Sequence, residues 1–197
     1  VISLNEGSSL ISFPYPGSVG LEEAIPDSVE HLFSAVISEG VSATNLGSGW
    51  IGSLTRFSGG KGYWVLVDES VEFSFNYPVL ASDLSRQSQL HKSIPDIYRF
   101  EQSRNQAFYF IESVEINDNL LTSEDLIIAY NGETVVGARY WLGDMTDIPV
   151  MGYDEGNYFK DYALPGDEIT FKVLDASSNS LILMEASTST AWFHHGL

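Results

Sequence analysis

The chain has 197 residues, enough for one large domain or two small ones, and its 44% hydrophobic against 18% charged composition can bury a core. Twenty-seven acids against nine lysines and arginines leave a net charge of −18, a field that repels phosphate backbones and anionic bilayers and so argues against nucleic-acid binding. There is no cysteine, which removes disulfides, thiolate zinc sites and cysteine nucleophiles, and no apolar run reaches the ~18 residues of a spanning helix, so membrane insertion is not expected.

Leu10-Ile11-Ser12-Phe13 predicts a short strand, stopped by Pro14 and turned at Pro16-Gly17. Val29, Leu32, Phe33, Val36 and Ile37 then recur at helical spacing, with Asp27 or Ser28 placed to cap a start and Gly40 placed to end it. This spacing predicts one amphipathic helix packed on a sheet. Tyr63-Trp64-Val65-Leu66-Val67 predicts a buried strand, and Val71, Phe73 and Phe75 alternate with Glu72 and Ser74 as a half-buried one.

Residues 81–104 lose this periodicity and predict a linker or irregular arm. Beyond it, residues 106–116 alternate faces. Residues 126–130 and 133–141 flank Asn131-Gly132, the strongest short hairpin signal, because both residues tolerate positive φ. Short strands are further predicted at 149–151, at 168–174 after Pro165-Gly166, and at 181–184. The expected fold class is mainly β: two β-sandwich-like modules of antiparallel sheets, with one amphipathic helix in the first. The expected boundaries are 1–80 for the N-terminal module, 81–104 for the arm and 105–197 for the C-terminal module.

Familiar chemical motifs fail on context. Residues 47–52 spell G-x-G-x-x-G, but the Gly59-Gly60 pair that soon follows leaves no room for the helix a dinucleotide site requires. Gly60-Lys61-Gly62 lacks the Ser or Thr and the helix of a phosphate loop, and neither H-E-x-x-H nor G-x-S-x-G occurs. No catalytic residue is assigned. Closely spaced loop carboxylates are candidate calcium ligands, because hard cations take clustered oxygens. They are Asp144 with Asp147, Asp154 with Glu155, and Asp118 with Glu124 and Asp125. The same acids could instead form a glycosidase pair. Trp50, Tyr153, Tyr158 and Tyr162 are candidate glycan-stacking or partner-anchoring rings. Trp64 and Trp141, within strands, are expected in the core.

Leu10-Ile11-Ser12-Phe13-Pro14, Trp50-Ile51-Gly52-Ser53-Leu54 and Gly60-Lys61-Gly62-Tyr63-Trp64-Val65 resemble a module of secreted bacterial surface proteins, of pattern N-L-I-S-x-P … G-K-G-Y-W. Residues 106–175 resemble a second module that accompanies it, through Ile128-Ala129-Tyr130-Asn131-Gly132-Glu133 and Gly166-Asp167-Glu168-Ile169-Thr170-Phe171-Lys172. The wording of residues 12–17 (S-F-P-Y-P-G) and 148–152 (I-P-V-M-G) is also similar to structural proteins of marine cyanophages. The resemblance covers about two-thirds of the chain. It implies a non-enzymatic structural or adhesive protein of an extracellular, cell-surface or virion location, such as a phage decoration or fibre component, with other protein subunits as partners. A carbohydrate-binding module and a glycoside hydrolase are the alternatives.

Overall fold

The computed structural model describes residues 1–77, 92–116, 119–155 and 161–194. It divides into two compact units, Val1–Leu90 and His91–Leu197. Both are mainly β, with antiparallel ladders throughout.

The first unit contains β1 (Ile2–Leu4), β2 (Gly7–Ser12), β3 (Ser18–Gly20), the four-residue helices α1 (Leu21–Ala24) and α2 (Asp27–Glu30), β4 (Phe33–Ser38), β5 (Val41–Asn45), β6 (Trp50–Ile51), β7 (Arg56–Ser58), β8 (Gly62–Val67) and β9 (Val71–Phe73). Five strands form one sheet in the order β2-β8-β4-β5-β6, while β1 pairs with β9 and β3 with β7. In β8 the alternation of Tyr63, Val65 and Val67 sends three side chains into the core. There they meet an aromatic cluster. Phe13 stacks on Phe57 at 5.3 Å between ring centroids and meets Phe75 edge-on at 4.9 Å, and Phe57 meets Tyr63 edge-on at 4.8 Å. Such pairs add about 0.5–1.5 kcal/mol each beyond the area they bury.

The amphipathic helix expected at residues 29–37 is not formed. Helix α2 ends at Glu30, and Phe33–Ser38 is strand β4. A central strand is buried on both faces, so it reads as a nearly continuous apolar run rather than an alternating one. A bulge between Phe33 and Ala35 shifts its register further. Together these imitate a helical period, whereas the β-branched Val36 and Ile37 suit the pleat.

The second unit contains a single 3-10 turn (Asp96–Tyr98), β10 (Gln106–Ile111), β11 (Glu115–Ile116), β12 (Asn119–Leu120), β13 (Leu126–Asn131), β14 (Thr134–Tyr140), β15 (Thr146–Met151), β16 (Thr170–Asp175) and β17 (Ser180–Leu183). Four strands are ordered β14-β13-β16-β17, β10 pairs with β15, and β11 with β12. The β13–β14 hairpin turns at Asn131-Gly132, with Gly132 at φ 57°, as its sequence predicts. Ala107, Ile148 and Val150 of the β10–β15 ribbon share one apolar cluster with Ile127, Phe171 and Val173 of the four-stranded sheet. The ribbon approaches β14 closely. A Cβ on Gly137 would fall 1.7 Å from the Pro149 carbonyl oxygen, so only glycine fits there.

Of the stretch expected as an arm, residues 81–91 lie outside the described residues. Residues 92–104 belong to the second unit, where Ile94, Tyr98 and Phe100 lie against Leu126, Ile128, Tyr130 and Ala138. At the other end of the chain, Trp192 is buried against Gly152, where a Cβ would come within 2.2 Å of the indole. Its ring N–H donates to the Val150 carbonyl at 3.0 Å, and its backbone N–H donates to Asp167 at 2.8 Å.

Candidate functional site

Of the candidate calcium carboxylates, Asp147, Asp154, Asp125 and Glu124 are engaged by the protein's own donors. Asp147 is fully buried on β15. Its carboxylate lies 3.6 Å from Arg139 Nη2, and Arg139 Nε donates to the Asp147 carbonyl at 2.5 Å. Burial pushes the Arg139 guanidinium below its ordinary range, with Asp147 opposing that shift. Asp154 accepts two hydrogen bonds of 2.7 Å from the Arg104 fork. These bonds are the main reason its carboxyl lies below the usual carboxylate range. Glu155 donates its backbone N–H to the same Asp154 carboxylate, at 2.8 Å. Asp144 is exposed in the turn before β15. Asp125 accepts from the Thr122 backbone and hydroxyl at 2.7 and 2.9 Å and from the Ala176 backbone at 2.8 Å, tying two loops together. Glu124 pairs with Lys92, and Asp118 lies outside the described residues. Among the described residues, no group of three or more His, Asp or Glu side chains could hold a metal ion.

The four candidate rings do not form one platform. Tyr162, expected to be exposed, is buried. Its hydroxyl donates to the Glu101 carbonyl at 3.1 Å and accepts from the Glu101 N–H at 2.8 Å, fastening the stretch around Glu101 within the second unit. Burial raises the Tyr162 hydroxyl above its ordinary value, so it remains a donor. Trp50 belongs to the first unit, half-buried, with its indole N–H donating to Glu30 at 2.6 Å. Tyr153 is 39% exposed, and Tyr158 lies outside the described residues. Trp141 is buried as expected, whereas Trp64 is only half-buried.

A concave feature of the second unit lies elsewhere. A groove of about 740 Å³ runs between residues 109–113, at the end of β10, and residues 183–190, with residues 169–171 as its floor. Tyr109 and Phe171 meet edge-on in it at 5.1 Å. Burial, reinforced by the charge of Glu168, drives the Tyr109 hydroxyl far above its ordinary range. It is therefore a permanent donor, and it holds the Thr190 carbonyl at 2.9 Å. The Ile169 N–H donates to that same carbonyl, and the Thr190 hydroxyl donates to Glu168 at 2.9 Å. The groove walls carry two exposed carboxylates, Glu112 and Glu185, and the run Ser187-Thr188-Ser189, but no lysine or arginine.

None of these lining residues is marked by a motif. The available signal was indirect: residues 186–190 are all small or hydroxylated and follow the last strand, while β10 is followed by Glu112-Ser113 without a turn signature. Comparison with protein-family models, with curated proteins and with solved structures finds no match for this chain.

Proposed function

We propose that the chain is a non-catalytic structural or adhesive protein of an extracellular, cell or virion surface, acting by binding a protein partner. The observation that carries this reading is the way the carboxylates are used. The carboxylates of Asp125, Asp154 and Asp167 accept hydrogen bonds from the protein's own donors, and that of Asp147 pairs with Arg139, so that each staples loops or strands. Acids committed in this way serve architecture rather than proton transfer, which needs a carboxyl within reach of a substrate. The groove of the second unit is lined by rings, small hydroxyls and two exposed acids, a composition suited to contact.

Immunogold labelling of intact source particles or cells tests the location, with label on the outer surface expected. Label confined to the interior would overturn the reading. Incubation of the chain with a panel of polysaccharides tests the chemistry, with no release of reducing sugar expected. Turnover abolished by Glu112→Gln or Glu185→Gln would establish the hydrolase alternative instead.

A further inference from the structure

We infer that the groove accepts one extended strand of a partner protein, with apolar residues alternating with lysine or arginine, paired to the open edge of β10. This deepens the surface-binding reading and rests on it.

The edge follows from the ladder. The Gly152 N–H donates to the Asn105 carbonyl at 2.7 Å, which sets the hydrogen-bonded pairs of β10 and β15 at 105/152, 107/150, 109/148 and 111/146. Pro149, which has no N–H to give, stands at a position that does not bond to β10. The backbone groups of Gln106, Phe108 and Phe110 therefore point away from β15. The Gln106 N–H on that side is met by His194 Nδ1 at 3.2 Å. Among the described residues no strand pairs with this edge. Phe108 is buried, so the accessible part of this edge is at the half-buried Phe110; β10 ends at Ile111, and Glu112 and Ser113 continue beyond it along the wall of the groove.

An open strand edge is a template for another chain, and proteins guard such edges with charged side chains, lysine above all, or with proline or a bulge. Residues 108–113 contain neither lysine nor proline, and the β10–β15 register runs without a shift. The groove thus presents an edge free of lysine, proline and bulge, with the carboxylate of Glu112 as the charge along it, beside an apolar floor, the arrangement used in strand addition.

The side chains specify the occupant. Successive residues of an added strand point to opposite faces. One set would reach the rings of Tyr109 and Phe171, which asks for apolar residues. The other would reach the rim, where Glu112 and Glu185 ask for positive charge and no basic residue competes. A second copy of this chain, itself at −18, is disfavoured by like-charge repulsion.

The probe is the synthetic peptide acetyl-Lys-Thr-Lys-Val-Lys-Val-Lys-amide, titrated calorimetrically into the full chain at low salt and at ~0.15 M salt. Three comparison ligands are titrated likewise: its Glu-for-Lys counterpart, a version with alternate backbone amides N-methylated, and a mixture of cello-, chito- and xylo-tetraose. The basic peptide is expected to bind, more weakly as salt rises. Its affinity should drop about tenfold in the exposed double variant Glu112→Gln/Glu185→Gln. N-methylation should abolish binding, and the amides of Phe110 and Glu112 should gain hydrogen-exchange protection in the complex. Equal binding of the acidic or the N-methylated peptide, displacement by the oligosaccharides, or no peptide binding would each overturn the assignment. Those outcomes leave the surface-protein reading standing, since it fails separately on labelling or on sugar release.

Discussion

The two units of this chain solve the same problem, an antiparallel β fold without disulfides, by different means. The first is held by a continuous aromatic core in which Phe13, Phe57, Phe73 and Phe75 meet ring to ring. The second is laced by buried or half-buried polar contacts: Arg139 with Asp147, Asp125 across two loops, Tyr162 on Glu101, the Trp192 indole on Val150 and His194 on Gln106. Aromatic packing tolerates changes of pH and salt, because its contacts carry no charge. Polar contacts are directional and fix geometry, but an uncompensated partner left in low dielectric is costly. The unit that bears the groove is therefore the one whose parts are positioned most exactingly and are most sensitive to conditions.

The largest expected effects come from breaking each unit at its own kind of anchor. Arg139→Met leaves Asp147 buried without its counter-charge and should cost the second unit about 3–5 kcal/mol. Phe57→Ala opens a cavity beneath three rings and should cost the first unit a similar amount, about 3–5 kcal/mol. Hydrogen-exchange mass spectrometry separates the two, because amide protection should fall in one unit and persist in the other. Equal loss of protection in both units from either variant would mean that the chain unfolds as one cooperative body and that the contrast has no energetic meaning. Asp125→Ala should act more mildly, about 1–3 kcal/mol, by stranding the Thr122 and Ala176 donors. Its loss of protection should concentrate at residues 119–126 and 174–180.

The contrast also explains what could be read from the amino acids. Strands β8, β13 and β14 were legible because their apolar pattern agrees with turns at Gly60 and at Asn131-Gly132. Strand β4 was not, because a doubly buried strand with a bulge has no period-two signature to show. Asp147 and Asp154 looked like ligands for a cation, since spacing along the chain does not reveal which donors a fold brings to a carboxylate. Arg139 reaches Asp147 from a neighbouring strand, and Arg104 reaches Asp154 from 50 residues away. Tyr162 looked like a surface ring for the same reason, its partner Glu101 being 61 residues distant. The groove was the least legible feature. Its walls and floor come from three stretches at 109–113, 169–171 and 183–190, and what joins them is a set of long-range hydrogen bonds, Tyr109 and Ile169 to the Thr190 carbonyl and Met184 to the Phe171 carbonyl, rather than any motif.

The smallest expected effect sharpens the contrast most, because it depends on protons. The Gln106 backbone N–H donates to His194 Nδ1, so that nitrogen must be unprotonated in the folded state. Burial is the main cause that holds the His194 imidazole below its ordinary value. The unfolded chain then binds more protons than the folded one between the folded value and ~6.5, so stability rises with pH across that window. The contribution is fully present above ~6.5 and is lost as pH falls through the folded value. Asp154 and Asp175, both held below 3.8 by hydrogen bonds, lose theirs only in a separate, more acid window. Urea unfolding of the second unit, followed by hydrogen exchange at a series of pH values, should show the upper step. His194→Gln supplies an amide oxygen for the Gln106 donor and does not titrate. It should abolish the upper step while leaving the acid one in place, and the protection of the first unit should not change across the upper window. An upper step that survives in His194→Gln would assign the pH sensitivity to some other group and weaken the distinction between the two units.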